Sequence, residues 1–147
     1  MSEEILIGGI VSANLVKGLL RGYGIYVTTH RIIGIKKRKA ALAGALAGGL
    51  IGGAIGATIG TILANKLTKA ESDKAIEELL SKSDMVIPKE QIVSMELKKP
   101  GLLSGGHLII KTMDGKKVKI KVQGKKEFNS LRELLTRFKP EVLNVKG

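Results

Sequence analysis

The residues best suited to chemistry in this 147-residue chain are its two histidines, because the chain contains no cysteine. Neither His30 nor His107 has an acidic neighbour or a second histidine at the spacing that a metal site or an acid-base pair needs. The glycines form neither the GxGxxG nor the GxxxxGK[ST] pattern of nucleotide-binding loops. The sequence therefore predicts a protein that is not an enzyme, with no metal, no cofactor and no small-molecule substrate.

Cations are the second group of side chains with a chemical use. The net charge is +12, and most lysines and arginines lie in residues 1–39 and 85–147. Two groups stand out, namely the run Lys36, Lys37, Arg38 and Lys39, and the alternating set Lys117, Lys119 and Lys121. Alternate residues of a strand point to one face, so the second set predicts a basic strip. Both groups predict binding to an anionic membrane surface, and the same attraction also acts on nucleic acid.

A glycine repeat occupies residues 40–64, which carry no charge and include seven glycines. From residue 44 it runs in tetrads GALA, GGLI, GGAI, GATI and GTIL. With 3.6 residues per helical turn, the leading glycines predict one groove for helix packing. They are Gly44, Gly48, Gly52, Gly56 and Gly60. Seven glycines cost roughly 7 kcal/mol in a helix, so another backbone is expected to pack closely against this glycine zipper.

The repeat is long enough to cross a bilayer, yet a single crossing would separate the strands predicted on its two sides. Two arrangements keep those strands together. One is a hairpin that bends near Gly52 and Gly53 and enters the membrane from one side. The other is a helix packed against copies of itself in an oligomer.

Strands surround this repeat. The pattern predicts a strand over residues 3–16 with a bulge near Gly8, and a hairpin over residues 25–35 with a polar turn. Another strand is predicted over residues 91–97. In the last hairpin, Asp114 and Gly115 predict a two-residue turn that places Ile110 opposite Lys119 and Leu108 opposite Lys121.

Two amphipathic helices complete the set. The first is predicted over residues 69–82, with Thr68 and Glu71 as a capping box. The second is predicted over residues 125–138, with its apolar side chains on one side, and Pro140 ends it. Strands closed by a helix imply an α+β domain or a partly open barrel.

The segment GIYVTTHRIIGI resembles the "hyhyTnkRhhgh" hairpin of bacterial and archaeal pleckstrin-homology-like and GRAM-like domains. IPKEQIVSMEL is similar to their "iplsdIvsve" stretch, and LIIKTMDGKKVKIKV followed by KEFNSLRELL resembles their closing hairpin and final helix. The resemblance implies a bent antiparallel sheet capped by the C-terminal helix, and a binding function for lipids, peptides or proteins. His30 stands where asparagine is usual, and residues 39–83 interrupt the pattern.

The sequence thus predicts a pleckstrin-homology-like (PH-like) domain from residues 1–38 and 85–147, with residues 39–84 as a helical insertion that its sheet can lose. The predicted function is a cytoplasmic, membrane-associated, homo-oligomeric binding or scaffold domain that inserts or self-associates through the repeat. A soluble homo-oligomeric scaffold is the alternative. A nucleic-acid-binding protein ranks third, because the aromatic residues form no stacking platform.

Overall fold

The β-branched runs of the chain pair into two sheets in the computed structural model, which describes residues 4–12, 14–36, 59–63 and 69–146. The strands are β1 (Leu6–Ser12), β2 (Leu15–Lys17), β3 (Leu20–Arg21), β4 (Gly24–Thr28), β5 (Arg31–Ile35), β6 (Ile59–Leu63), β7 (Met85–Pro88), β8 (Ile92–Lys98), β9 (Gly106–Thr112), β10 (Lys117–Val122) and β11 (Leu143–Lys146). The helices are α1 (Lys69–Lys82) and α2 (Lys125–Phe138), and short 3-10 turns span Lys89–Gln91 and Pro140–Val142.

Sheet A has the order β6-β1-β4-β5-β7 and is antiparallel throughout. Sheet B has the order β11-β8-β9-β10-β2-β3, in which only the β11–β8 pair is parallel. The chain passes from sheet A to sheet B between Ser12 and Leu15. The architecture is therefore α+β, and its described strands form two sheets that do not close into a barrel.

The main core lies between the inner faces of the two sheets and α2. Ile10 and Ile25 of sheet A, Leu108 and Ile120 of sheet B, and Phe128 of α2 belong to one buried cluster. The register shift in β1 between Leu6 and Gly8 matches the predicted bulge. The helical bounds predicted for α1 and α2 are confirmed, as is the β4–β5 hairpin.

Helix α1 covers the opposite face of sheet A. Its buried residues Ala75, Ile76 and Leu79 join a second apolar cluster. The sheet residues in that cluster are Leu6, Val11, Tyr26, Ile33 and Ile35. Sheet A is thus buried on both faces, which explains the continuous apolar runs of β4 and β5.

The TTHR segment of the β4–β5 turn is held by Thr28. Its buried hydroxyl accepts the backbone N–H groups of His30 and Arg31, both at 3.0 Å, and donates to Glu4 Oε2 at 2.6 Å. Arg31 donates to the same carboxylate through Nε at 2.7 Å and Nη2 at 2.6 Å. These bonds lower the pKa of Glu4. The most distinctive segment of the family resemblance therefore stabilises a turn.

The glycine-rich helix predicted within the insertion is not what the structure shows for residues 59–63. Ile59–Leu63 forms β6 and pairs with β1, with Gly60 opposite Val11, so Gly60 belongs to a strand. An unpaired edge of β1 would leave its N–H and C=O groups without partners, and the β-branched residues of this segment favour a strand. Gly44, Gly48, Gly52 and Gly56 lie outside the described residues, so the helical groove stays a prediction.

The β9–β10 turn also differs from the prediction. Val118 lies opposite Ile110 and Ile120 opposite Leu108, one residue away from the predicted register. The turn has three residues, 113–115, because the Thr112 N–H donates to the Lys116 carbonyl at 3.0 Å. Within this turn only Gly115 has a positive φ, of 83°. The extra residue puts the apolar side chains together on the core face.

Candidate functional site

The outer face of sheet B is rich in cations because the strand registers bring them into line. Residues directly opposite one another on neighbouring strands point to the same face. One row crosses all six strands and consists of Lys146, Lys98, His107, Lys121, Val16 and Arg21. The next rows contain Lys119 opposite Ile109, and Lys117 opposite Lys111. The predicted basic strip of β10 is thus one column among the cations on the outer face of sheet B.

Lys117, Lys119 and Lys121 are all exposed along that column. Alternate strand residues lie about 7 Å apart, so three ammonium groups cover roughly 14 Å of the face. We call this surface the basic face, defined by Lys111, Lys117, Lys119 and Lys121.

A groove opens where the basic face meets the loop of residues 99–105. One cavity of about 270 Å³ is lined by Gly105, Gly106, His107, Lys119, Lys121 and Gln123. A second cavity of about 450 Å³ is lined by Lys99, Pro100, Gly101, Leu102, Gln123 and Lys125. Gln123 lines both, so the cavities adjoin. The described residues that line this groove include four lysines and no carboxylate, which makes the groove suited to anions.

The 99–105 loop is held at its base by close backbone packing. A Cβ on Gly106 would lie 2.2 Å from the Lys98 carbonyl oxygen and 2.9 Å from Pro100 Cδ, so only glycine allows the two strand ends to approach this closely. The Lys99 N–H also donates to the Lys146 carbonyl at 2.8 Å. These contacts fix the loop beside the groove.

Glu96 is the acidic residue on the outer face of sheet B, and the side chains of His107 and Lys146 both bind it. Nε2 of His107 donates to its Oε2 at 2.5 Å, and Nζ of Lys146 lies 3.0 Å from its Oε1. The hydrogen bond from His107, followed by that from Lys146, lowers the pKa of Glu96 to about 2. Glu96 therefore stays ionised, and its bond to His107 turns that imidazole toward β8. Lys119 and Lys121 are then the groove cations on β10 that can contact an anionic ligand.

Changing His107 to glutamine is expected to raise the pKa of Glu96 from about 2 toward 4.5, because the larger of its two stabilising bonds is weakened. The pKa is depressed in the folded state, so the cluster stabilises the fold above pH 4.5 and loses this effect as the pH falls toward 2. Carboxyl-carbon NMR titration measures this value directly. Lys146→Gln is the comparison and should raise the pKa less. An unchanged Glu96 titration in His107→Gln would contradict the assignment.

The structure does not bring all the predicted cations together. Lys36 is exposed at the end of β5 in sheet A, whereas Lys117, Lys119 and Lys121 lie on sheet B. Lys37, Arg38 and Lys39 lie outside the described residues. The sequence did not predict the groove or the Glu96–His107 pair, because their members come from different elements. The register of β8 and β9 was the signal that could have predicted the Glu96–His107 pair.

Ile35 and Ile59, the described strand residues on either side of residues 37–58, lie at one end of sheet A. Ile35, Gly24, Val11 and Gly60 follow one another across β5, β4, β1 and β6. Ile35 and Gly60 are thus about 14 Å apart, three strand spacings.

That end of sheet A adjoins the groove. Ser12 pairs with Ile59, and two residues later the Asn14 carbonyl accepts the N–H of Gln123 at 2.9 Å. Gln123 lines both cavities. The groove and the points where residues 37–58 leave and rejoin the sheet therefore share one end of the molecule.

No protein-family model, curated protein or solved structure matches this chain. Within the described ranges, no helix has both the length and the apolar character needed to span a membrane. The same residues contain no group of three or more His, Asp or Glu side chains arranged to hold a metal ion.

Proposed function

We propose that this chain is a non-enzymatic binding domain of PH-like type that docks onto anionic phospholipid membranes through the basic face and its groove. The observation that carries the proposal is the column of three exposed lysines on β10, two of which line the groove together with Lys99 and Lys125. Lipid phosphates supply the complementary charge, at about 1 kcal/mol per cation near an anionic surface. Several cations on one face of a sheet suit a surface that presents many anions.

The aromatic residues favour lipid over single-stranded nucleic acid. The chain has two tyrosines, two phenylalanines and no tryptophan, and all four rings are buried. Base stacking on exposed rings supplies much of the affinity of proteins that bind single strands. Among the lysines, the outer face of sheet B carries the half-buried Ile109 and the buried Val16 rather than exposed rings.

The uncharged sequence of residues 40–58 supports the same orientation. The described residues on either side of it, Lys36 and Ile59, lie at the end of the molecule that carries the groove. We propose that this segment, in the glycine-zipper form predicted from its repeat, adds insertion or self-association to the electrostatic contact.

Replacing Lys117, Lys119 and Lys121 with glutamine tests the proposal. Removing three cations is expected to weaken binding to phosphatidylcholine/phosphatidylglycerol vesicles roughly a hundredfold at low salt. The salt dependence of binding should fall with it. Vesicle flotation at graded lipid concentrations measures both quantities.

The matched control changes three exposed cations elsewhere, Lys74, Arg132 and Arg137, to glutamine, which removes the same net charge. The control should bind within a few-fold of the wild type. Equal losses in both variants would show attraction to net charge alone. Tight binding to RNA or DNA without vesicle binding would refute the lipid proposal.

A further inference from the structure

The tip of the 99–105 loop exposes two adjacent leucines. Leu102 and Leu103 have side chains that are 104% and 103% exposed, so no described residue covers them. The N–H of Gly101 donates to the carbonyl of Ser104 at 2.7 Å, which leaves the two leucines at the central positions of a tight turn. Full exposure of two neighbouring large apolar side chains is unfavourable in water, at about 1.5–3 kcal/mol relative to burial for each.

Three cations lie near the base of the loop that carries these leucines. Lys98 and Lys99 lie at its start, and Lys125 lines the same cavity as Leu102. An apolar loop tip with lysines at its base matches the layers of an anionic bilayer interface, in which phosphates lie outside the hydrocarbon. An acidic groove on a partner protein would neutralise the charge of the lysines, but it would offer no apolar region to bury the exposed leucines.

We propose that Leu102 and Leu103 insert into the acyl region of an anionic membrane while Lys98, Lys99 and Lys125 contact the phosphates. This inference rests on the proposed function and adds to it a defined point of insertion. The base of the loop is held by close backbone packing at Gly106. Its tip can therefore enter the membrane without a rearrangement of sheet B. The points where residues 37–58 leave and rejoin sheet A lie at the same end of the molecule as the groove.

The insertion is tested by attaching a polarity-sensitive fluorophore, such as NBD, at position 103. The chain contains no cysteine, so Leu103→Cys provides a single labelling site. Leu19→Cys is the matched control, because Leu19 is 102% exposed in a different loop, the turn between β2 and β3. With phosphatidylcholine/phosphatidylglycerol vesicles, the label at position 103 should shift to the blue and be quenched by lipids with a quencher in the acyl chain. The label at position 19 should do neither.

A second measurement separates insertion from charge attraction. Leu102→Ser with Leu103→Ser should lower affinity for the same vesicles in 0.5 M NaCl on the order of a hundredfold, since salt screens the lysines and leaves the apolar contact. Leu19→Ser should leave that affinity unchanged. Both leucine positions are exposed, so neither change removes a core contact.

The outcomes distinguish this inference from the proposed function. Vesicle binding that depends on Lys117, Lys119 and Lys121, with position 103 remaining in water, refutes the insertion and keeps the docking. Absence of vesicle binding refutes both. A blue shift at position 103 that grows with protein concentration in the absence of lipid, or that requires RNA or DNA, overturns the insertion, because a second copy or a nucleic acid then covers the leucines.

Discussion

Replacing residues 39–83 with a Gly/Ser linker is expected to abolish the cooperative unfolding transition. The replacement removes β6 from the edge of β1 and removes α1 from the outer face of sheet A. Five buried sheet residues lose their cover, namely Leu6, Val11, Tyr26, Ile33 and Ile35. At about 1.5–3 kcal/mol for each side chain, the loss is roughly 8–15 kcal/mol, which equals the whole stability of a typical domain.

The control replaces residues 41–58 alone with a linker. This variant keeps β6 and α1, and the linker has only about 14 Å to span between the ends of β5 and β6. It should keep a cooperative thermal transition by circular dichroism, whereas the larger replacement should melt without one and bind the hydrophobic dye ANS. A cooperative transition in the larger replacement would restore the view, suggested by the sequence, that the insertion can be lost.

Changing Gly9 to alanine is expected to destabilise the protein by about 3 kcal/mol, in the upper range for overpacking in a core. A Cβ on Gly9 would lie 2.3 Å from Cδ1 and 2.8 Å from Cε1 of Tyr26, its partner on β4. The Tyr26 side chain is 1% exposed beneath α1, so the ring has no room to move aside. Urea unfolding measures the change in free energy.

Gly105→Ala is the matched control, because no atom of the described residues lies within 4 Å of the added Cβ in that exposed loop. It should change stability by less than about 0.5 kcal/mol. The cause is isolated by repeating Gly9→Ala in a Tyr26→Leu background, where the narrower side chain should reduce the cost. Equal costs for the two glycines would show that the contact between Gly9 and Tyr26 is not tight.

Local patterns in the sequence determined several elements of this protein. The 3.6-residue apolar period, with Pro140 after it, set the bounds of α2, and the same period set those of α1. The β-branched runs on either side of Thr29 and His30 predicted the β4–β5 hairpin. Alternation in β10 predicted that Lys117, Lys119 and Lys121 share a face. Each of these features depends on residues within a few positions of one another.

Tertiary structure decided the rest, because the deciding partners are distant in sequence. Residues 59–63 have an apolar pattern that suits a helix, and the open edge of β1 makes them a strand. The groove joins Lys99, Lys121 and Lys125 from different elements, and Glu96 meets His107 only through the register of β8 and β9. Periodicity reports which side of an element is apolar, but backbone pairing between strands determines which polar side chains meet.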